Sequence, residues 1–151
     1  MSNTQAMATS FKSEILSGIH ALGTTVIRAG TGADTLKAAL YLASATINAA
    51  TTVYTVTGEV SGTGYSAGGV TVTNATAPTT SGTTGYWTPS ASLTYTTVTL
   101  TTAFDCVLIY NSTQSNKAIS AHTFGSQTVT AGTFTLTMPT SDATNALIRI
   151  A

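Results

Sequence analysis

The residues of this chain that could do chemistry are few and far apart. Its five carboxylates are Glu14, Asp34, Glu59, Asp105 and Asp142. Glycoside hydrolysis needs two carboxyl groups facing each other across a bond, and no two of these five suggest such a pair. His20 and His122 each stand alone, without the neighbouring Cys or His spacing of a zinc site. Cys106 is the single cysteine, so no intrachain disulfide can form. Within the apolar run 104–109 it reads as a small buried hydrophobe, because a nucleophilic thiolate needs an electropositive setting. A Ser-His-Asp triad is defined by geometry and not by spacing, but the nucleophile-elbow pattern that would signal one is missing. The glycine-rich stretch 62–69 could cradle a phosphate only if a helix opened within it. The sequence continues instead into Val70-Thr71-Val72-Thr73, so the glycines read as turn residues supplying positive φ. The expectation is no catalytic, no cofactor-binding and no metal-ligating residues.

Large aromatics offer a different chemistry, that of contact. Gly85-Tyr86-Trp87-Thr88-Pro89 is the sharpest cluster, with Tyr65 and Tyr95 on either side of it in the sequence. Such rings on loops serve interfaces or sugar stacking, and core filling is the competing use in a chain with one tryptophan.

The composition narrows the class. Charged residues make up 7% of the 151, against about 25% in ordinary globular domains. The surface must be covered by neutral polar groups, and 35 threonines supply them. Threonine is β-branched and suits a half-buried pleated strand. Net charge is zero and the five basic residues, Lys12, Arg28, Lys37, Lys117 and Arg149, are scattered. Phosphate binding needs a clustered basic patch, so no nucleic-acid partner is expected. No run approaches the roughly 20 apolar residues of a membrane span, and no secretory signal is apparent; the chain reads as one made in a reducing compartment.

The elements follow from periodicity. Residues 1–9 are small and polar and read as a flexible arm, with a single β-rich domain over 10–151. Phe11, Ile15, Leu16, Ile19 and Leu22 recur at helical spacing, predicting a helix over about 10–22 capped by Ser10 and closed by Gly23. A glycine-containing loop is expected over 29–33. Residues 35–48 fit a helix (Leu36, Leu40, Ala43, Ile47) or a strand (Leu36, Ala38, Leu40, Leu42). From residue 53 onward strands are expected at 53–56, 70–73, 93–100, 103–110, 118–124 and 133–138, with a short edge strand at 147–150. Pro139 ends the alternation of Phe134, Leu136 and Met138 with threonines. Residues 75–84 read as a long surface loop. The fold class is mainly β: an antiparallel β-sandwich or jelly-roll-like barrel with one short N-terminal α-helix.

Five segments in order resemble a family of small structural proteins in tailed-bacteriophage particles. They are Phe11-Lys12-Ser13-Glu14-Ile15-Leu16-Ser17-Gly18-Ile19-His20, Leu36-Lys37-Ala38-Ala39-Leu40-Tyr41, the glycine-rich turn 59–69, the strand and polar turn 108–119, and 132–139. The stretch 75–100 departs from the pattern. The resemblance favours a strand at 36–41. It implies a non-enzymatic virion protein, a capsid decoration or cement protein on the outer head surface that stabilises adjacent capsomers. The implied partners are the major capsid protein and further copies of the chain in a homo-oligomer, a trimer, with synthesis in the host bacterial cytoplasm. The alternative is a host-facing neck or tail component, fibre or spike. A carbohydrate-binding module using Tyr86 and Trp87 is the reading from another class. Candidate interface residues are Phe11, Ile15 and Ile19 on the helix, with Tyr65, Tyr86 and Trp87 on the loops.

Overall fold

The computed structural model describes residues 2–16, 18–23 and 32–151. The chain is mainly β, with antiparallel sheets and, among the described residues, one short helix. Its spine is a long two-stranded ribbon, β6 (Leu93–Asn111) and β7 (Lys117–Leu136), into which four of the expected strands merge in pairs. The reversal between them is fixed by Asn111, whose side-chain oxygen accepts the backbone N–H groups of Thr113 and Gln114. Ser115 and Asn116 then take positive φ (53° and 58°), a conformation that Asn tolerates better than most residues.

Against β6 lies β2 (Leu36–Leu42), paired antiparallel from Leu36 opposite Asn111 to Leu42 opposite Phe104. Leu36, Ala38, Ala39, Leu40 and Tyr41 are all buried. Both faces of β2 are therefore covered, which is why its sequence lacks the alternation of a half-buried strand. β1 (Ala6–Met7) and β3 (Val70–Thr71) complete a five-stranded sheet in the order β1-β7-β6-β2-β3. A second sheet, β4 (Thr79–Ser81), β5 (Thr84–Trp87) and β8 (Ile148–Ile150), has the order β4-β5-β8. The stretch 75–84, expected as plain loop, thus contributes an edge strand, and the strand expected at 53–56 is a loop with one isolated bridge, Val53–Lys117, and the Tyr54 N–H on the Asn116 carbonyl. One contiguous core joins Phe11, Leu40, Tyr41, Trp87, Leu93, Phe104, Leu108 and Ile119. Phe104 meets Phe134 edge-on with ring centroids 5.0 Å apart, a favoured aromatic geometry.

The glycine-rich turn behaves as a turn. Gly64, Gly68 and Gly69 have positive φ, and a Cβ at Gly69 would run into the Ala38 carbonyl oxygen. The helix differs from expectation: α1 spans Thr9–Leu16 only. It stops because Gly18 takes φ 67° and closes the last turn, with Gly18 N–H on the Ile15 carbonyl and Ile19 N–H on that of Glu14. This is a glycine C-cap, one that the continuing apolar spacing to Leu22 hides. Ser10 is the second helical residue, past the N-cap position. The loop expected over 29–33 falls mostly outside the described residues.

Residues 2–9 correct the expectation of a flexible arm. Ala6 and Met7 pair with Ala121 and Ser120 of β7, and Ala8 is buried. Asn3 donates through Nδ2 to the Leu42 carbonyl (3.1 Å) and Asp105 Oδ1 (2.6 Å), and accepts the Ile47 N–H (2.9 Å). A short polar segment carries no periodicity, so nothing local reveals that its backbone completes a sheet edge. Replacing Asn3 with Ala should lower unfolding free energy by about 1–3 kcal/mol, since each hydrogen bond is worth roughly 0.5–1.5 kcal/mol net. Removal of residues 1–8 should lower it further. Urea unfolding measures both; unchanged midpoints would mean the segment does not hold this position in solution.

Candidate functional site

Between α1 with the segment 18–22 and the small sheet β4-β5-β8 lies an open, mainly apolar cleft of about 440 Å³. Its size is within the range of ligand or side-chain pockets. Phe11, Ile15, Tyr86, Trp87, Ile148 and Pro78 form much of its wall. The strand β5 sets its far side: Trp87 opposes Ile148 of β8 and Tyr86 opposes Arg149. Trp87 is 1% exposed, and its indole N–H is held by the Thr76 carbonyl at 2.9 Å.

His20 also borders the cleft, packed edge-on against Phe11 with centroids 4.8 Å apart. Both of its ring nitrogens are engaged. Nε2 lies 2.8 Å from Glu14 Oε2, and Nδ1 lies 3.0 Å from Asn111 Nδ2. The orientation of Asn111 is fixed by the two backbone N–H groups on its oxygen, so its NH₂ must donate to His20 Nδ1 and to Asp34 Oδ2 (2.8 Å). The imidazole proton therefore resides on Nε2 and points at Glu14. Asp34 also accepts the Ala21 N–H (2.7 Å) and Gln114 Nε2 (3.2 Å), and Glu14 Oε1 takes Lys117 Nζ at 2.7 Å. Burial alone would raise the Glu14 pKa, but hydrogen bonds from Lys117 and His20 hold it below the ordinary range. This network ties α1 and the segment 18–22 to the ribbon's turn. Every polar atom of its imidazole already has a partner, so general-base work would require breaking the scaffold.

A second network surrounds Glu59. It accepts from Tyr54 Oη, Tyr65 Oη and the Gly68 N–H, each at 2.7 Å. Tyr65 Oη in turn accepts the Leu40 N–H, Tyr95 donates to the Ala38 carbonyl, Tyr110 to the Gly68 carbonyl and Tyr41 to that of Thr55. Burial first, and the Glu59 charge with it, push these five phenols above their usual pKa, Tyr110 to about 12. They act as fixed hydrogen-bond donors: Tyr41–Thr55 and Tyr65–Leu40 join residues 53–69 to β2, Tyr110 joins Gly68 to β6, and Tyr95 ties β6 to β2. Tyr86 is the exception: its hydroxyl has no hydrogen-bond partner among the described residues.

Of the six candidate interface residues, Phe11, Ile15, Tyr86 and Trp87 converge on one cleft. Phe11 and Trp87 are core residues with 0% and 1% exposure and give the cleft its floor and wall; they are not free surface, because the small sheet and α1 need large apolar groups between them. Tyr65 lies elsewhere, bound to Glu59. Ile19 is half-buried and outside the lining of the cleft. The Ile148–Ile150 side of the cleft was missed as a site, although the edge strand itself was expected. Cys106 is buried, and its thiol is pushed up to about 12 by burial and then by Asp105. Among the described residues no group of three or more His, Cys, Asp and Glu side chains is placed to hold a metal ion, and no helix is long and apolar enough to cross a membrane. Comparison with known proteins yields no match to a family model, a curated protein or a solved structure.

The acid response follows from His122 and Glu14, whose pKa values fall. Burial lowers His122 from 6.5 to about 4. The unfolded chain thus holds more protons between those values, and stability falls as pH drops through that window. Glu14, with a folded pKa below 4.5, removes more stability as pH falls further. Unfolding free energies measured across this range should show both losses, and His122→Gln should flatten only the upper one. An identical slope in the variant would mean His122 is not the group responsible.

Proposed function

We propose that this chain is a non-enzymatic structural protein of a tailed-bacteriophage particle. Specifically, it decorates the outer surface of the head and contacts the major capsid protein across adjacent capsomers. The observation that carries this reading is the division of labour among its polar groups. Glu14, His20, Asp34, Glu59 and five of the six tyrosines are engaged in holding the fold. Outward lie many uncharged threonines, few charged groups, and an apolar cleft with Tyr86 at its wall. Such a surface suits contact with a repeated protein lattice, where many modest identical contacts add up by avidity. The resemblance of five ordered segments to small virion proteins points the same way. Sugar stacking on Trp87 is less well supported, because the indole is enclosed and its N–H is already bonded.

In this reading the cleft receives an apolar side chain from the capsid surface, with the Tyr86 hydroxyl at its rim. Tyr86→Asp should reduce binding to purified shells by about tenfold or more, the loss expected for an interface hot spot, with little change in thermal stability. Quantitative mass spectrometry of purified virions tests the location itself. A copy number near that of the major capsid protein supports decoration. A ratio an order of magnitude lower assigns the chain to the neck or tail, and absence from particles overturns the reading.

A further inference from the structure

The outer edge of β7 changes character along its length. Its first part is covered: β1 pairs with Ser120 and Ala121, Ala8 N–H reaches the Ile119 carbonyl, and Ala118 N–H reaches that of Thr52. From residue 124 to 136, among the described residues, no backbone hydrogen bond arrives from outside the β6–β7 ribbon. An edge this long is a template for another strand unless charge, proline or bulges blunt it. No Lys, Arg, Asp or Glu occurs between Lys117 and Asp142, and the first proline is Pro139.

Bulges do interrupt the ribbon, with positive φ at Thr97 (53°) and Ala131 (45°) and register shifts from Tyr95 to Cys106. They leave one regular stretch at its open end, where Leu93, Thr94 and Tyr95 pair with Leu136, Thr135 and Phe134. This end of β7 and the residue after it read Thr133-Phe134-Thr135-Leu136-Thr137, a near-palindrome about Thr135. The three threonines are exposed, and Phe134 and Leu136 are only half-buried.

We propose that residues 133–137 are a self-pairing edge, on which a second copy of this chain adds its own 133–137 antiparallel about a two-fold axis at Thr135. An isologous contact must place a surface against itself, and this segment suits that requirement. Thr135 faces Thr135, each Thr133 faces a Thr137, and each Phe134 faces a Leu136. Threonine pairs are favourable across antiparallel strands, whereas like charges directly opposite are not; Phe134 opposite Leu136 buries two apolar side chains against each other, and this segment has no charge to oppose. A two-fold axis perpendicular to the sheet keeps the Phe134 and Leu136 faces of both copies on one side, so their exposed halves cover each other. The contact closes as a dimer, whereas the resemblance implies a trimer. It is independent of capsid binding, since it concerns the purified chain alone.

Light scattering of the purified protein should give a mass twice the 15.3 kDa of the chain. Thr135→Lys, which sets two ammonium groups opposite each other on the axis, should halve that mass with an unchanged circular dichroism spectrum. Thr94→Lys, on the neighbouring strand away from the edge, should leave the dimer intact. As a second readout, Thr135→Cys should form a covalent dimer under mild oxidation, against the silent background of buried Cys106. A wild-type monomer, an oligomer that Thr135→Lys does not dissociate, or failure of Thr135→Cys to cross-link would each overturn the pairing.

Discussion

The carboxylate of Glu59 gathers residues 54–68 around itself and, through Tyr65, joins them to β2. A buried carboxylate costs several kcal/mol unless donors surround it. Here two phenols and a backbone amide converge on it at 2.7 Å. One of those phenols also satisfies the Leu40 N–H of β2, so the carboxylate, the loop and the sheet share one chain of hydrogen bonds. The chain has very few charges, and this one organises neutral partners around itself, whereas Glu14 pairs with Lys117 as well as His20. Loss of its donors would expose both a buried charge and the edge of β2.

The same logic separates scaffold from surface. A general acid or base must lie within hydrogen-bond reach of the proton it moves. In this chain His20 has both nitrogens bonded within the fold, Cys106 is a buried thiol held protonated, and five phenols are fixed donors. The side chains left to meet a partner include hydroxyls, the half-buried Tyr86, the exposed Lys12 and Arg149, and the exposed Val53, Val56 and Ile150.

Parts of this were legible from residues alone. The strand alternation of Phe134, Leu136 and Met138, the turn after Asn111, the glycine-rich turn and the buried Cys106 all follow local rules of period, positive φ and polarity. Phe11, Ile15, Tyr86 and Trp87 were visible as large apolar groups in a chain short of them, and four such groups meeting at one cleft is what packing a small sheet against a short helix requires. The helix end was misjudged because Gly18 sits within an apolar spacing that runs on to Leu22. The anchored N-terminus was invisible because Asn3 bonds to residues 39 to 102 positions away.

Sequence by itself determined the class of this protein: threonine, glycine and valine at period two, with almost no charge, commit it to uncharged antiparallel sheets. Local preference is enough for that, because strand formation and turn chemistry depend on neighbours along the chain. Only the tertiary structure decided which phenols serve Glu59 and leave Tyr86 free, how Asn111 fixes the proton of His20, and where the β7 edge is left open. Those outcomes depend on groups distant in sequence meeting in one place, and hydrogen-bond geometry between them is set by the packed fold.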